Sequence, residues 1–571
     1  MQVLCLCSDW MAKYVLVSDS SLSASYRHFP LLEFLPSAPV QAIPNPIYYF
    51  LKGPLYPPDK EGRSTISTYS LRKIEAALLQ KYDRKDVVVA HEDHLSNFVK
   101  DDTEVIAVNT MDPLGIGPLT MSYFVLMGAD KGAWVTKEWR NLMAKINAAR
   151  KGKKAKLLVG GPGVWEFTMH PEELDVSNID YAFQGESEDI LCDLFEQVSS
   201  GDINRDMFFQ GFMTIDDDFH RSYVQNPKFI SRNPKIGTSV ALEKIPLIQG
   251  PAHSGMVEIM RGCGIGCDFC EVTLRPLRYY SNDMVTKEIE VNTRRGGFNN
   301  AWLHTDEFFG FKHTKPTFEP NEEALLDLMK AVMSVPGVRR SNPTHARISP
   351  ATAYPEPIEK LSKVMKAGPS NWIGVQVGIE TGSDALAKKH MPNKTLPLHV
   401  GSDGTWSEIV WRGTVNMNKY YWRPAFTIQS GQRDETDEDN WDTVALINKM
   451  SNTYLGSRPM EFTVTPMQNV PLGMIKSRGF SAGMLTQSQF AMYYASYRHL
   501  YKMALRNARR ESKGNPVVRT GTASSISLGG WAMMKLVERL ARKSGLDIEK
   551  AKRYGLDTPT SRIETVVQFN R

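Results

Sequence analysis

Short apolar runs and amphipathic stretches take turns along the first 200 residues. "KYVLVSD" (13–19), "DVVVAHE" (86–92), "EVIAVNT" (104–110), "KAKLLVGGPG" (154–163) and the start of "YAFQGESEDILCDLFEQV" (181–198) are apolar runs ending in small or turn-forming residues, the pattern of buried strands. Between them, "SLRKIEAALLQKY" (70–82), with Ser70 as N-cap, and "KEWRNLMAKINAAR" (137–150) carry apolar residues at helical spacing, as does the end of 181–198. This alternation predicts a doubly wound parallel sheet over 1–200 with helices on both faces. Ligands of such sheets bind at the carboxyl ends of the strands. Those ends read "SDSSLS", "MDPLGIGP", "GGPG" and "GES", an edge suited to something large and flat that approaches the backbone closely.

Residues 201–250 hold few periodic runs and read as a connector. A second alternating series opens at "GMVEIMRGCGIGC", with strands predicted over 256–262, 300–309, 344–350, 372–381, 423–430 and 460–468. Helices fall between them, such as "NEEALLDLMKAVMSV" (321–335) and "EPIEKLSKVMKAG" (356–368). Six strands alternating with helices predict a partial (β/α)6 barrel over 251–475. Beyond it "FAMYYASYRHLYKMALRNARRESKG" (490–514) is helical and basic, so 476–571 is expected to be α-rich.

A chain of 571 residues, 42% hydrophobic and 23% charged, needs more than one core and has the make-up of a soluble protein. A net charge of +5 spread over this length does not call for a nucleic-acid partner, and no run approaches the roughly eighteen apolar residues of a membrane span. The start, "MQVLCLCSDWMAKYVLVSD", has no basic n-region or small-residue cleavage site, so it does not read as a signal peptide. Six cysteines placed so unevenly do not form a disulfide framework, and a reducing compartment, the cytoplasm, is expected.

Half of those cysteines stand within "RGCGIGCDFCEVTLRP" (261–276): Cys263, Cys267 and Cys270. Structural zinc takes four ligands, and no fourth cysteine lies nearby; His304 and His313 are far along the chain. A disulfide would leave an odd thiol and strain a short glycine-rich turn. An iron–sulfur cluster on three thiolates leaves one iron open to a small molecule, and Gly262, Gly264 and Gly266 let backbone fold around a bulky object. Chance clustering remains the alternative. Elsewhere, Cys5 and Cys7 suit a buried terminal strand more than a redox pair, Cys192 a packed helix face, Tyr279 and Tyr280 either core positions or packing on a cofactor or substrate, and 506–519 a solvated helix end more than a nucleic-acid contact. Dinucleotide and P-loop fingerprints are absent.

Cys263-x-x-x-Cys267-x-x-Cys270, following the first strand of the second series, resembles the signature of radical S-adenosylmethionine (SAM) enzymes, with Phe269 at that family's aromatic position. "LHTDEFFGF" (303–311), "VGIETGSDALAKKHM" (377–391), "IQSGQRDETDED" (428–439) and "VTPMQNVPLG" (464–473) resemble, in order, segments of the family's cobalamin-associated branch, with Gln432-Arg433-Asp434 where Pro-Gly is usual. The first series, through "VNTMDPLGIG", "VGGPG" (159–163) and "QGESED" (184–189), looks like the Rossmann-like cobalamin-binding domain of class B radical SAM enzymes.

The resemblance implies a [4Fe-4S] cluster on Cys263, Cys267 and Cys270, and SAM beside Phe269, Asp306, Glu307, Gly378, Glu380 and Gly382. It implies a cobalamin slot at Gly160, Gly161, Gly163, Gly185 and Glu186. For Glu380 a salt bridge at the barrel rim is the alternative, and for Asp306 and Glu307 a loop cap. The D-x-H-x-x-G motif is missing, and His91 and His94 suit ordinary loop positions, so a residue of 110–117 is expected below cobalt. The implied activity is C-methyl transfer from methylcobalamin to an unactivated carbon. The overall layout is most similar to the enzymes that methylate a glutamine of methyl-coenzyme M reductase, implying a protein or peptide substrate and an external electron donor. A methyltransferase for a small natural product or lipid, and a non-catalytic cobalamin or iron–sulfur carrier or sensor, stay open; "GIETGS" and "GQRDETDED" speak against the carrier.

Overall fold

The computed structural model describes residues 12–28, 30–128, 131–216, 220–314, 316–470, 485–511, 516–554 and 558–564. Cys5, Cys7, the end of the 464–473 segment and the middle of 506–519 lie outside them. The first strands are β1 (Tyr14–Ser18), β2 (Val87–Val89), β3 (Val105–Asn109), β4 (Lys156–Gly160) and β5 (Tyr181–Gln184), all parallel to their neighbours. Successive side chains of a strand point to opposite faces, and here both faces are covered. Tyr14, Leu16, Val105 and Ala107 pack with Leu71, Leu78, Leu194 and Phe195 of helices Tyr69–Leu78 and Leu191–Ser200. Val15, Val17, Ile106 and Val108 pack with Trp139, Leu142 and Ile146 of helix Trp134–Ala149 on the other side. That is why these strands are apolar throughout instead of alternating. The first of these helices starts before Ser70: Thr68 is the N-cap, accepting the Leu71 N–H.

The stretch 201–250 does more than connect. It supplies β6 (Phe208–Ile215) and β7 (Arg221–Arg232), an antiparallel pair whose β7 adds in parallel to β5. The sheet therefore has seven strands in the order β2-β1-β3-β4-β5-β7-β6. The outer half of β7 is exposed, so its polar sequence hides the strand. The strand order reverses between β1 and β3, the switch point at which open parallel sheets leave a crevice.

The second series forms β8 (Met256–Glu258), the two-residue ribbon β9 (Met260–Arg261) and β10 (Arg278–Tyr279), then β11 (Asn300–His304), β12 (Arg340–Pro343), β13 (Ile373–Glu380), β14 (Trp422–Ser430), β15 (Thr453–Leu455), β16 (Arg458–Pro459) and β17 (Thr463–Gln468). Parallel sheets β12-β11-β8 and β13-β14-β17 are joined by the bridge His345–Gln376, giving six strands in chain order. The third strand lies earlier than the predicted 344–350, because residues 349–353 there are helical. In β13 and β14 one row (Val375, Val377, Ile379; Phe426, Ile428) is buried, while Gln376, Gly378, Thr427 and Gln429 are half-buried. This is the alternation of barrel strands, one row on the helices and one on the lumen.

Helices Gln487–Glu511, Pro516–Lys543 and Ile548–Arg553 follow, and β18 (Ser561–Ile563) returns to pair with β15. The architecture is a doubly wound sheet, a partial parallel barrel and a helical C-terminal region. Among the described residues no helix is long and apolar enough to cross a membrane.

Candidate cofactor site

Residues 262–277 form a loop whose neck is the antiparallel β9–β10 ribbon, with Arg261 and Arg278 as register partners. Gly262, Gly264 and Gly266 all adopt positive φ, 79°, 70° and 83°, which a side chain strains. At Gly262 a Cβ would also fall 2.5 Å from the Arg275 carbonyl oxygen. Neighbouring side chains hold the loop backbone. Asp306 Oδ2 accepts the Gly262 N–H at 2.6 Å, and Thr273 Oγ1 accepts the Gly266 N–H at 2.6 Å. Asn393 Nδ2 donates to the Ile265 carbonyl at 2.9 Å. Asp268 pairs with His390 at 2.7 Å and with Arg433 at 2.9 Å.

Cys263, Cys267 and Cys270 are free thiols, so the disulfide alternative falls away. Burial, reinforced by the neighbouring cysteines, pushes Cys263 and Cys267 up to about 12, and burial, with Glu380 and Asp306 adding to it, raises Cys270 as well. Thiols in such a place stay protonated until a cationic group replaces their protons. Among the described residues no three Cys, His, Asp or Glu side chains form a site for a single metal ion. One ion needs its ligands converged on one point, whereas an iron–sulfur cube takes each thiolate at a different iron. Three thiols on a glycine-hinged loop are a donor set that fits the cube.

Facing them is a group that sequence reasoning caught only in part. Glu380 ends β13 at φ +63°, where the ladder with β14 slips. Its carboxylate pairs with Lys394 Nζ at 2.5 Å and accepts from Gln429 Nε2 at 3.0 Å. The Lys394 ammonium lies 5.9 Å from the Phe269 ring centre. Burial opposes its charge, but the Glu380 carboxylate outweighs burial and leaves its pKa raised. Gly378 makes room for this pair: a Cβ there would stand 2.1 Å from Glu380 Oε1 and 2.8 Å from Lys394 Nζ. Phe269, Gly378 and Glu380 thus converge with Lys394 beside the cysteines, and the rim salt bridge weighed for Glu380 is present. Lys394 lies just past the 377–391 segment, and nothing in its immediate sequence marks it.

The other three residues expected beside SAM have partners within the protein. Asp306 caps the cysteine loop. Glu307 is buried, paired with Arg347 Nε at 3.2 Å, and its Oε1 accepts the N–H groups of Phe309 and Arg347 at 3.0 and 3.1 Å. Gly382 packs against helix Asp437–Ser451, where a Cβ would lie 2.6 Å from the Asp442 carbonyl oxygen.

At the sheet edge the glycines divide likewise. Gly160 and Gly185 face open space, whereas a Cβ on Gly161 would meet Asn109 Oδ1 at 2.4 Å and one on Gly163 the Met111 carbonyl oxygen at 2.6 Å. The last two therefore let the 109–113 loop pack closely. Glu186 does not line an open slot: it pairs with Arg278 at 2.6 Å and Arg261 at 3.2 Å. Burial alone would raise its pKa, but the two guanidiniums prevail and hold it down at about 2. Loop 110–117 is set by Glu166, which the sequence did not reveal. Its carboxyl is fully buried, accepts the Leu114 N–H at 2.6 Å, and is driven far up by burial and by Asp112. Asp112 accepts from Gly117 N–H at 2.9 Å, and Met111 stands open at 55% exposure. His91 accepts the Asp93 N–H at 3.2 Å, an ordinary turn contact.

No family model matches the sequence, and no curated protein matches it. Among solved structures, the cobalamin-dependent S-adenosylmethionine radical enzyme OxsB with aqua-cobalamin bound aligns over 95% of this chain and 74% of its own, with a TM-score of 0.53 and 11% identity. The chain has the OxsB fold. The radical S-adenosylmethionine methyltransferase TsrM from Kitasatospora setae, with cobalamin and a [4Fe-4S] cluster bound, aligns over 80% of this chain and 75% of its own, with a TM-score of 0.46 and 15% identity.

Proposed function

We propose that the chain is a cobalamin-dependent radical SAM C-methyltransferase acting in the cytoplasm, with a glutamine of a protein such as methyl-coenzyme M reductase as substrate. The observation that carries this reading is the loop of three free cysteines, closed by positive-φ glycines at the mouth of a six-strand parallel barrel, on a chain that shares the OxsB fold. Cys263, Cys267 and Cys270 would hold the cluster, Phe269, Gly378, Glu380 and Lys394 would border SAM, and Gly160, Gly185 and Met111 would border cobalamin. When bound, these groups supply the radical that removes hydrogen and the methyl that replaces it. The chain's part is to keep the thiols together, to hold Lys394 charged against Glu380, and to keep water from the lumen. A glutamine substrate is supported by the layout resemblance and by the half-buried lumen row Gln376, Thr427 and Thr465, whose polar groups suit a carboxamide.

The test is anaerobic loading with iron, sulfide and hydroxocobalamin, followed by SAM, a reductant and a glutamine-containing peptide. Iron–sulfur and corrin absorbance, deoxyadenosine release and a peptide heavier by one methyl are expected. Corrin uptake without deoxyadenosine would replace the enzyme with a carrier, and methylation of a small molecule or lipid but no peptide would replace the substrate. Failure to bind iron at all would end the reading.

A further inference from the structure

The neck of the cysteine loop is gripped by the carboxyl edge of the first sheet. Arg261 and Arg278, register partners across that neck, are like charges directly opposite, a destabilising arrangement unless anions intervene. The anions come from just beyond β5. Glu186 receives both arms of Arg278, at 2.6 and 2.9 Å, and its Oε2 lies 3.2 Å from Arg261. Glu188 accepts from Arg261 Nη2 at 2.9 Å. On the barrel side Glu258 takes the Arg261 fork at 2.9 and 2.9 Å and the Tyr280 hydroxyl at 3.0 Å. All five charged side chains are at most 16% exposed. One end of this network is two residues from Cys263, and the other is one residue from Gly185 at the open sheet edge.

We propose that this network is the spacer that sets the separation of the two cofactor sites, with Arg261, Arg278, Glu186 and Glu188 as positioning residues; it rests on the function proposed above. Forked guanidinium–carboxylate pairs fix orientation as well as distance, which a lone ion pair or an apolar contact between sheet and barrel would not. Neither arginine needs to touch a cofactor.

Two measurements test it, on Glu186→Gln, Arg278→Gln and Arg278→Lys. In the protein without cofactors, hydrogen exchange across residues 260–279 should accelerate by about ten- to a hundred-fold in Glu186→Gln and Arg278→Gln. It should accelerate less in Arg278→Lys, which keeps charge but loses the fork. Unchanged exchange would overturn the clamp whatever the cofactors are. In protein loaded with cobalamin and cluster, the dipolar interaction between cob(II)alamin and the reduced cluster should give one narrow separation for the unaltered chain and a broadened one for the two Gln variants. A narrow, unshifted separation in those variants, with both spin signals present, would overturn the spacer. Absence of either signal from the unaltered chain would instead overturn the proposed function, and the spacer with it, while the exchange result would stand.

Discussion

Glu307 separates two readings left open by the sequence, a ligand to the methionine part of SAM or a structural cap. Its carboxylate sits 3.2 Å from Arg347 Nε, with both side chains 3% exposed. Replacing Glu307 with Ala leaves the Arg347 guanidinium buried with the Leu396, Phe318 and Asn393 carbonyls, at 2.8, 3.1 and 3.5 Å, as neutral partners. It also frees two backbone N–H groups. Breaking a buried pair from one side costs about 3–5 kcal/mol. In a unit of roughly 150–250 residues each kcal/mol lowers the midpoint by about 2–4 °C, so the barrel transition should fall by about 6–20 °C. Calorimetry of the cofactor-free protein reads this without any assumption about function. Glu307→Gln keeps an acceptor for the two N–H groups and should fall between Glu307→Ala and the unaltered chain. A Glu307→Ala midpoint within about 2 °C of the unaltered chain, with weakened SAM binding, would refute the cap and restore the ligand.

Removing any one of Cys263, Cys267 and Cys270 by substitution with Ser should abolish the iron and labile sulfide recovered after anaerobic loading, while Cys192→Ser, on a helix of the first sheet, should leave both unchanged. Gly163→Ala should destabilise the first sheet by about 1–3 kcal/mol through contact with the 109–113 loop, read by urea unfolding. Gly160→Ala, which meets nothing within 4 Å, should leave stability alone and reduce corrin uptake. Glu186, held down to about 2 from 4.5, adds stability that is present above the ordinary carboxyl pKa and lost as pH falls towards 2. The unaltered chain should therefore lose about 2–3 kcal/mol more than Glu186→Gln between pH 5 and 2, measured by denaturant midpoints at each pH.

Among the site residues, the cysteines and glycines are the most legible, because spacing along the chain is itself the signal: three thiols within eight positions, with two glycines between them and a third just before, restrict what the loop can do. Charged residues were harder. Glu186, Glu307, Asp306 and Glu380 are marked by the family resemblance, yet what each meets is a partner 14 to 92 positions away. Lys394 and Glu166 carry no local pattern and become visible only through the groups they meet.

What the sequence alone determined is what short-range periodicity encodes. Both alternating series, the parallel sheet, the partial barrel and the helical C-terminal region follow from apolar runs, whose period records how many faces of each element are buried. Only the tertiary structure decided that 201–250 extends the sheet, that the third barrel strand precedes residue 344, and which partners the carboxylates take. Those outcomes depend on long-range pairing, and an ion pair or a close glycine contact is specified by two distant positions at once, of which each alone looks like ordinary chain.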